Sequence, residues 1–255
     1  MNRILLIIYL LLPVAALAQR YPDNRFRMSL GGTFHGTMGQ QHFQSSDRFI
    51  TGNSRSGGGA YMEVAKPVFA GFMIGASISL SGFSLVSSAI KDQLLEKYGR
   101  DGYYISYDVG RRGYTINQIG FSLARNFDFH GGTLSPYARI SVASIDDMNP
   151  TASIRLKEKG DNYFVQYAIV ADKTPDGQAA YNFLLTTVGF NLEGRLNDYF
   201  WIQGGMSYTG GSYKLNLKEI TTDIYGQNTP RAFEVKQPVS MINLSLGLQV
   251  RFGRN

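Results

Sequence analysis

Eleven consecutive residues near the C-terminus keep strict period two: Ile242, Leu244, Leu246, Leu248, Val250 and Phe252 alternate with Asn243, Ser245, Gly247, Gln249 and Arg251. A helix would scatter these side chains around its circumference, whereas a strand puts one set on each face. The segment therefore predicts a β-strand with one wholly apolar face and one face of small or polar groups.

Seven earlier segments carry the same pattern. In the first, Phe26, Met28, Leu30, Gly32 and Phe34 alternate with Arg27, Ser29, Gly31, Thr33 and His35. In the third, Phe72, Ile74, Ala76, Ile78 and Leu80 alternate with Met73, Gly75, Ser77, Ser79 and Ser81. Residues 57–66, 114–129, 135–145, 181–196 and 199–208 read as the remaining strands.

The connections alternate in length. Residues 66–70, 129–133 and 196–198 are tight and hold Pro67, Gly131-Gly132 and Asn197-Asp198, whereas 38–55, 86–112, 146–180 and 211–238 are long and hold much of the charge. Three tight turns and four long loops fit an all-β, eight-stranded antiparallel up-and-down transmembrane barrel, with four long extracellular loops and both termini on the periplasmic side. Closure is required because lipid does not tolerate a free strand edge. A soluble carrier of eight strands is the rival, and it would turn its apolar residues inward.

The N-terminus agrees with export. Arg3, the apolar run 4–12 and Ala16-Leu17-Ala18 have the form of a cleavable signal peptide over 1–18, leaving 19–255 as the barrel. The absence of cysteine excludes a disulfide framework, a thiolate metal site and a lipid-bearing cysteine. The formal net charge of +6 is modest and comes with no basic run, which argues against nucleic acid as a partner.

The signal segment, the alternating strands, the long loops and the closing strand 244–252 together resemble the small outer-membrane β-barrel-domain family. The similarity is greatest to the Bacteroidetes-type, outer-membrane protein A-like barrels, which often end in an Arg-Phe-like segment; here Arg251-Phe252 is followed by Gly253-Arg254-Asn255. The resemblance implies residence in the bacterial outer membrane, contact with its lipid, and a last strand read by the barrel assembly machinery. It implies no cofactor, and it leaves three roles open: a structural, adhesion or complex-partner barrel, a narrow transport channel, or an accessory barrel with a secretion-complex or other envelope partner.

Strand parity points Arg27, Glu63, Arg139, Glu193 and Arg251 inward, all in the periplasmic half. Charges of both signs in a narrow lumen predict mutual pairing and a polar plug; a gate or narrow ion path is the competing reading. Arg125 falls on the lipid-facing parity near a tight turn, where it either snorkels to the interface or is turned inward by a bulge near Asn126.

Catalytic and metal chemistry find little support. His35 and His42 lie toward one end and His130 in a turn at the other, so they form no single site; His35, His42, Ser45, Ser46 and Asp47 at the outer rim are the one group whose placement allows convergence. Asp146-Asp147 lacks the spacing of a calcium loop, Asp101-Gly102 and Asp176-Gly177 read as turns, and Gly57-Gly58-Gly59 lacks the lysine and following helix of a phosphate loop. Residues 88–98 predict one short amphipathic helix in the second long loop. The chain is thus expected to be non-enzymatic.

Overall fold

The computed structural model describes residues 25–37, 54–69, 71–85, 87–99, 103–109, 113–146, 152–158, 164–171 and 182–253. The expected signal peptide, His42, Ser45, Ser46, Asp47, Asp147 and the two Asp-Gly turns lie outside the described residues.

The strands are β1 (Phe26–Thr37), β2 (Ser54–Phe69), β3 (Phe72–Leu85), β4 (Tyr103–Val109), β5 (Gly113–Arg125), β6 (Phe127–Phe129), β7 (Gly132–Asp146), β8 (Ala152–Glu158), β9 (Phe164–Ala171), β10 (Phe183–Arg195), β11 (Phe200–Thr222) and β12 (Asn228–Phe252). One helix, α1, spans Ser87–Tyr98. It ends at Gly99, whose N–H donates to the Leu95 carbonyl at 2.7 Å.

Eight of these strands close a barrel in the order β1-β2-β3-β5-β7-β10-β11-β12, with every neighbour antiparallel and β12 returning to β1. At the seam Phe26 faces Phe252 and Arg27 faces Arg251, a register that keeps apolar residues of both strands on the outside. The turns at the termini's end are tight. Gly71 and Gly131 take φ of +78° and +82°, a region open to glycine, and Asn197 Oδ1 accepts from the N–H groups of Tyr199 and Phe200 at 2.9 and 2.8 Å.

The outward set of side chains is apolar and exposed all round the barrel: Leu30 is 61% exposed, Phe121 74% and Leu246 63%. The inward set holds the buried serines, threonines and charges. A soluble carrier would show the reverse, so the apolar belt has lipid as its solvent. No described helix is long and apolar enough to cross a membrane; the strands make the crossing.

At the loop end the second, third and fourth long connections hold more regular structure than the one expected short helix. Residues 211–238 continue β11 and β12 as a paired hairpin from Gly211↔Val239 to Thr222↔Asn228, closed by a turn at Gly226. The second and third long connections supply α1, β4, β8 and β9, and β9, β8 and β4 add in turn to the edge of β11. Strand pairing satisfies the backbone of these segments where an open loop would leave it to water. The fourth expected strand is also broken: β5 stops at Arg125, and Asn126 donates its N–H to the Gly71 carbonyl at 2.8 Å before β6 begins. Arg125 stays on the outer face, in register with Phe72.

Candidate functional site

The lumen is the interior that the barrel provides, and its chemistry changes along its length. In the periplasmic half, the charges that parity turns inward meet in two groups. Glu193 on β10 is 4% exposed; its Oε2 accepts from Arg27 at 2.9 Å and from Arg251 at 2.5 Å, and its Oε1 accepts from Gln249 at 3.3 Å. Arg251, 1% exposed, also donates from Nε to Gln249 Oε1 at 2.8 Å and lies over the Trp201 ring at 3.3 Å from its centroid. Two guanidinium groups on one carboxylate leave net positive charge, which the indole face partly offsets.

The second group is Arg139 on β7 and Glu63 on β2, joined at 2.8 Å, with Ser122 Oγ donating to the other carboxylate oxygen at 2.9 Å. It is wetter, with the partners 15% and 14% exposed. Glu63 and Glu193 line one small cavity, of about 30 Å³. A further cavity of about 50 Å³ lies among Tyr61, Arg139, Gln203, His35 and Asn243. Each has room for a few waters.

Midway along the lumen an uncharged chain of hydrogen bonds crosses from strand to strand. Thr33 Oγ1 meets His35 Nε2 at 2.8 Å, His35 Nδ1 meets Asn243 Oδ1 at 2.8 Å, Asn243 Nδ2 donates to Thr209 at 2.9 Å and to Ser207 at 3.1 Å, and Thr209 meets Thr187 at 2.8 Å. Both ring nitrogens of His35 are thereby engaged by neighbours on the lumen wall, while His42 lies outside the described residues.

Above this layer the inward side chains become apolar. Phe83, Ile116, Ile145, Leu185 and Met241 from the barrel wall join Leu94 and Tyr98 of α1 and Ile154, Leu156 and Ile169 of β8 and β9 in one buried cluster. The inner half of the lumen is thus lined by polar and ionic groups, while toward the outer end apolar side chains of the wall and cap pack together. Tyr98 anchors that core: it stacks on Tyr167 at 4.5 Å, and its hydroxyl donates to Glu219 Oε1 at 2.5 Å. Burial, and then the carboxylate beside it, hold the phenol well above the usual tyrosine range.

Parity could not find this apolar layer, because it assigns a face and says nothing of what packs on it. Trp201, Gln249, His35 and Asn243 were also legible as inward, but their partners follow from register. Among the described residues no group of three or more His, Cys, Asp or Glu side chains could hold a metal.

Closed strands, an apolar belt, tight turns at one end and an elaborated other end define a transmembrane β-barrel of the outer-membrane type. No family model matches the sequence, and no curated protein matches it. Among solved structures, the chain is similar to a major outer membrane protein from Thermus thermophilus, at 12% identity over 89% of this chain and 98% of that one, with a TM-score of 0.46. It is similar to Neisserial surface protein A at 12% identity over 89% and 97% of the two chains, TM-score 0.42. A toluene transporter of P. putida, TodX, is more distant in shape, at 12% identity over 94% and 93%, TM-score 0.23.

Proposed function

We propose that the chain is a closed, non-enzymatic integral barrel of the outer membrane, with a structural, adhesion or complex-partner role carried by its extracellular sheet. The observation behind this reading is the double closure of the lumen. Glu193, Arg27 and Arg251 fill the periplasmic half, and the cluster around Leu94, Ile154 and Leu185 covers the mouth. A solute would have to displace both a buried ion network and a packed hydrophobic core, each strongly unfavourable. Outer-membrane lipid, the barrel assembly machinery and an envelope protein are the partners this reading takes, and the closing strand 244–252 supports kinship with the Bacteroidetes-type barrels.

Planar-bilayer recording on the purified full chain tests the plug. The expected result is no steady conductance, and a large, steady conductance would replace this reading with that of a narrow channel. Extraction in mild detergent tests the role: a stoichiometric secretion-complex protein on the barrel would favour the accessory-barrel alternative.

A further inference from the structure

Arg125 sits on the lipid side of the barrel. It ends β5 on the outward parity, below Phe121 and Leu123, and is the register partner of Phe72. Its guanidinium carbon stands 5.3 Å from the Phe72 ring centroid and 5.2 Å from that of Phe127. Two aromatic walls hold the group, yet no carbonyl or carboxylate among the described residues takes its five N–H donors. The lumen arginines differ, since Arg27, Arg139 and Arg251 each donate to a glutamate. Arg195 at the same rim bonds Asp198.

Lys66 lies close by on the same outer face. It stands on the outward row of β2, ahead of exposed Val68 and Phe69, in register with Ile74, which in turn pairs with Leu123, so Lys66 and Arg125 flank an exposed apolar pair. Lys66 is exposed and makes no ion pair among the described residues. Across the barrel, the lipid-facing rim of β10, β11, β12 and β1 presents Leu196, Phe200, Phe252 and Phe26, and the described cations beside them, Arg25 and Arg195, both bond Asp198. The nearby carboxylate, Asp128, is turned away to accept from Thr133 at 2.6 Å.

A guanidinium at the edge of hydrocarbon must find water or an anion for its donors. We propose that Arg125, with Lys66 beside it, binds the phosphodiester of an anionic phospholipid in the periplasmic leaflet, whose acyl chains lie along Ile74, Leu123 and Phe121. The chemistry favours an anionic lipid over a zwitterionic one. A choline or ethanolamine ammonium would meet two cations here and no carboxylate, whereas a glycerol head group adds no positive charge. This inference rests on the transmembrane reading.

The test is native mass spectrometry of the full chain released from nanodiscs of mixed phosphatidylglycerol and phosphatidylcholine. The expected result is retained phosphatidylglycerol on the unmodified protein, reduced roughly tenfold in Arg125→Gln, as loss of a charge-assisted hydrogen-bonded partner implies, and reduced less in Arg125→Lys. Arg195→Gln is the rim control and should retain the lipid. Equal retention of both lipids, or undiminished phosphatidylglycerol in Arg125→Gln, would overturn the site. Displacement of the lipid by millimolar inorganic phosphate would reassign it to free anions. Arg125→Lys keeps the test informative if Arg125→Gln folds poorly, and an unmodified chain that failed to enter nanodiscs would defeat the transmembrane reading itself.

Discussion

The ring of Tyr61 lies against Gly31, its register partner across β1 and β2, so closely that a Cβ on Gly31 would stand 2.7 Å from Tyr61 Cε1. The same Cβ would stand 2.4 Å from the Leu246 carbonyl, and one on Gly247 would meet Tyr61 Oη at 2.7 Å. Tyr61 thus occupies the space that two glycines leave on the inner face of the β1–β12 seam, where the barrel closes. Gly31→Val is expected to destabilise the barrel by about 1–3 kcal/mol through overpacking. Gly32→Ala, whose Cβ meets nothing nearer than the Gly59 carbonyl at 3.8 Å, should be tolerated. Urea unfolding in lipid vesicles checks the pair, and equal stability of the two variants would show that the seam does not need the cradle.

Glu193 is the shared acceptor of Arg27 and Arg251, so Glu193→Ala leaves two buried guanidinium groups without their carboxylate. The expected loss is about 3–5 kcal/mol. Glu63→Ala frees one arginine in a wetter setting and should cost less. The order of the two in urea unfolding is the discriminating result. If Glu63→Ala proved the more damaging, the ion network would be centred on the other carboxylate.

The barrel was legible in the sequence because lipid and lumen impose opposite polarities on alternate residues, and that alternation survives in the chain. Its vertical organisation was less so. On β5 the inward set runs Ala124, Ser122, Gly120 and Gln118, then turns apolar at Ile116 and Tyr114, while the outward set turns from Ile119 to Asn117 and Thr115. The inversion marks where the strand leaves the hydrocarbon and begins to pack against the extracellular cap. The same inversion hid the outer hairpin: Lys214, Lys218, Glu234 and Lys236 read as loop charges, although Tyr213, Leu217, Phe233 and Val239 kept the inner face apolar. The two ion groups in the lumen needed register as well as parity, because Glu193 and Arg251 come from strands that are not adjacent in the barrel.

That inversion makes a prediction about the outer face. Leu246 is flanked in register by Gly32 and Gly204, which leaves it open to lipid with no neighbouring side chain to shelter a charge. Leu246→Arg should cost roughly 2–4 kcal/mol near the bilayer midplane. Ala232→Arg has the same outward parity on the same strand but stands in the extracellular hairpin, opposite Lys218. It should cost less than about 1 kcal/mol. Folding yield and urea unfolding in vesicles measure both, and a similar cost at the two positions would mean that the belt extends above the barrel rim.

The cap itself has a titratable fastening. Tyr98 donates a hydrogen bond through its hydroxyl to Glu219, and burial, followed by that hydrogen bond and the carboxylate charge, raises the phenol in the folded chain above its unfolded value of about 10. A raised folded value means that the native cap holds this proton more tightly than the unfolded segment does. The stabilisation is therefore fully present below about pH 10 and is lost as the pH rises toward the folded value. The reconstituted protein should gain protease sensitivity in α1 and β9 above about pH 10, while the buried barrel strands stay protected. Tyr98→Phe keeps the stack on Tyr167 and removes the proton, so its cap should be weaker at neutral pH and should lack this part of the alkaline transition. Cleavage profiles that coincide for the unmodified chain and Tyr98→Phe from neutral pH to about pH 11 would show that the Tyr98–Glu219 bond does not fasten the cap.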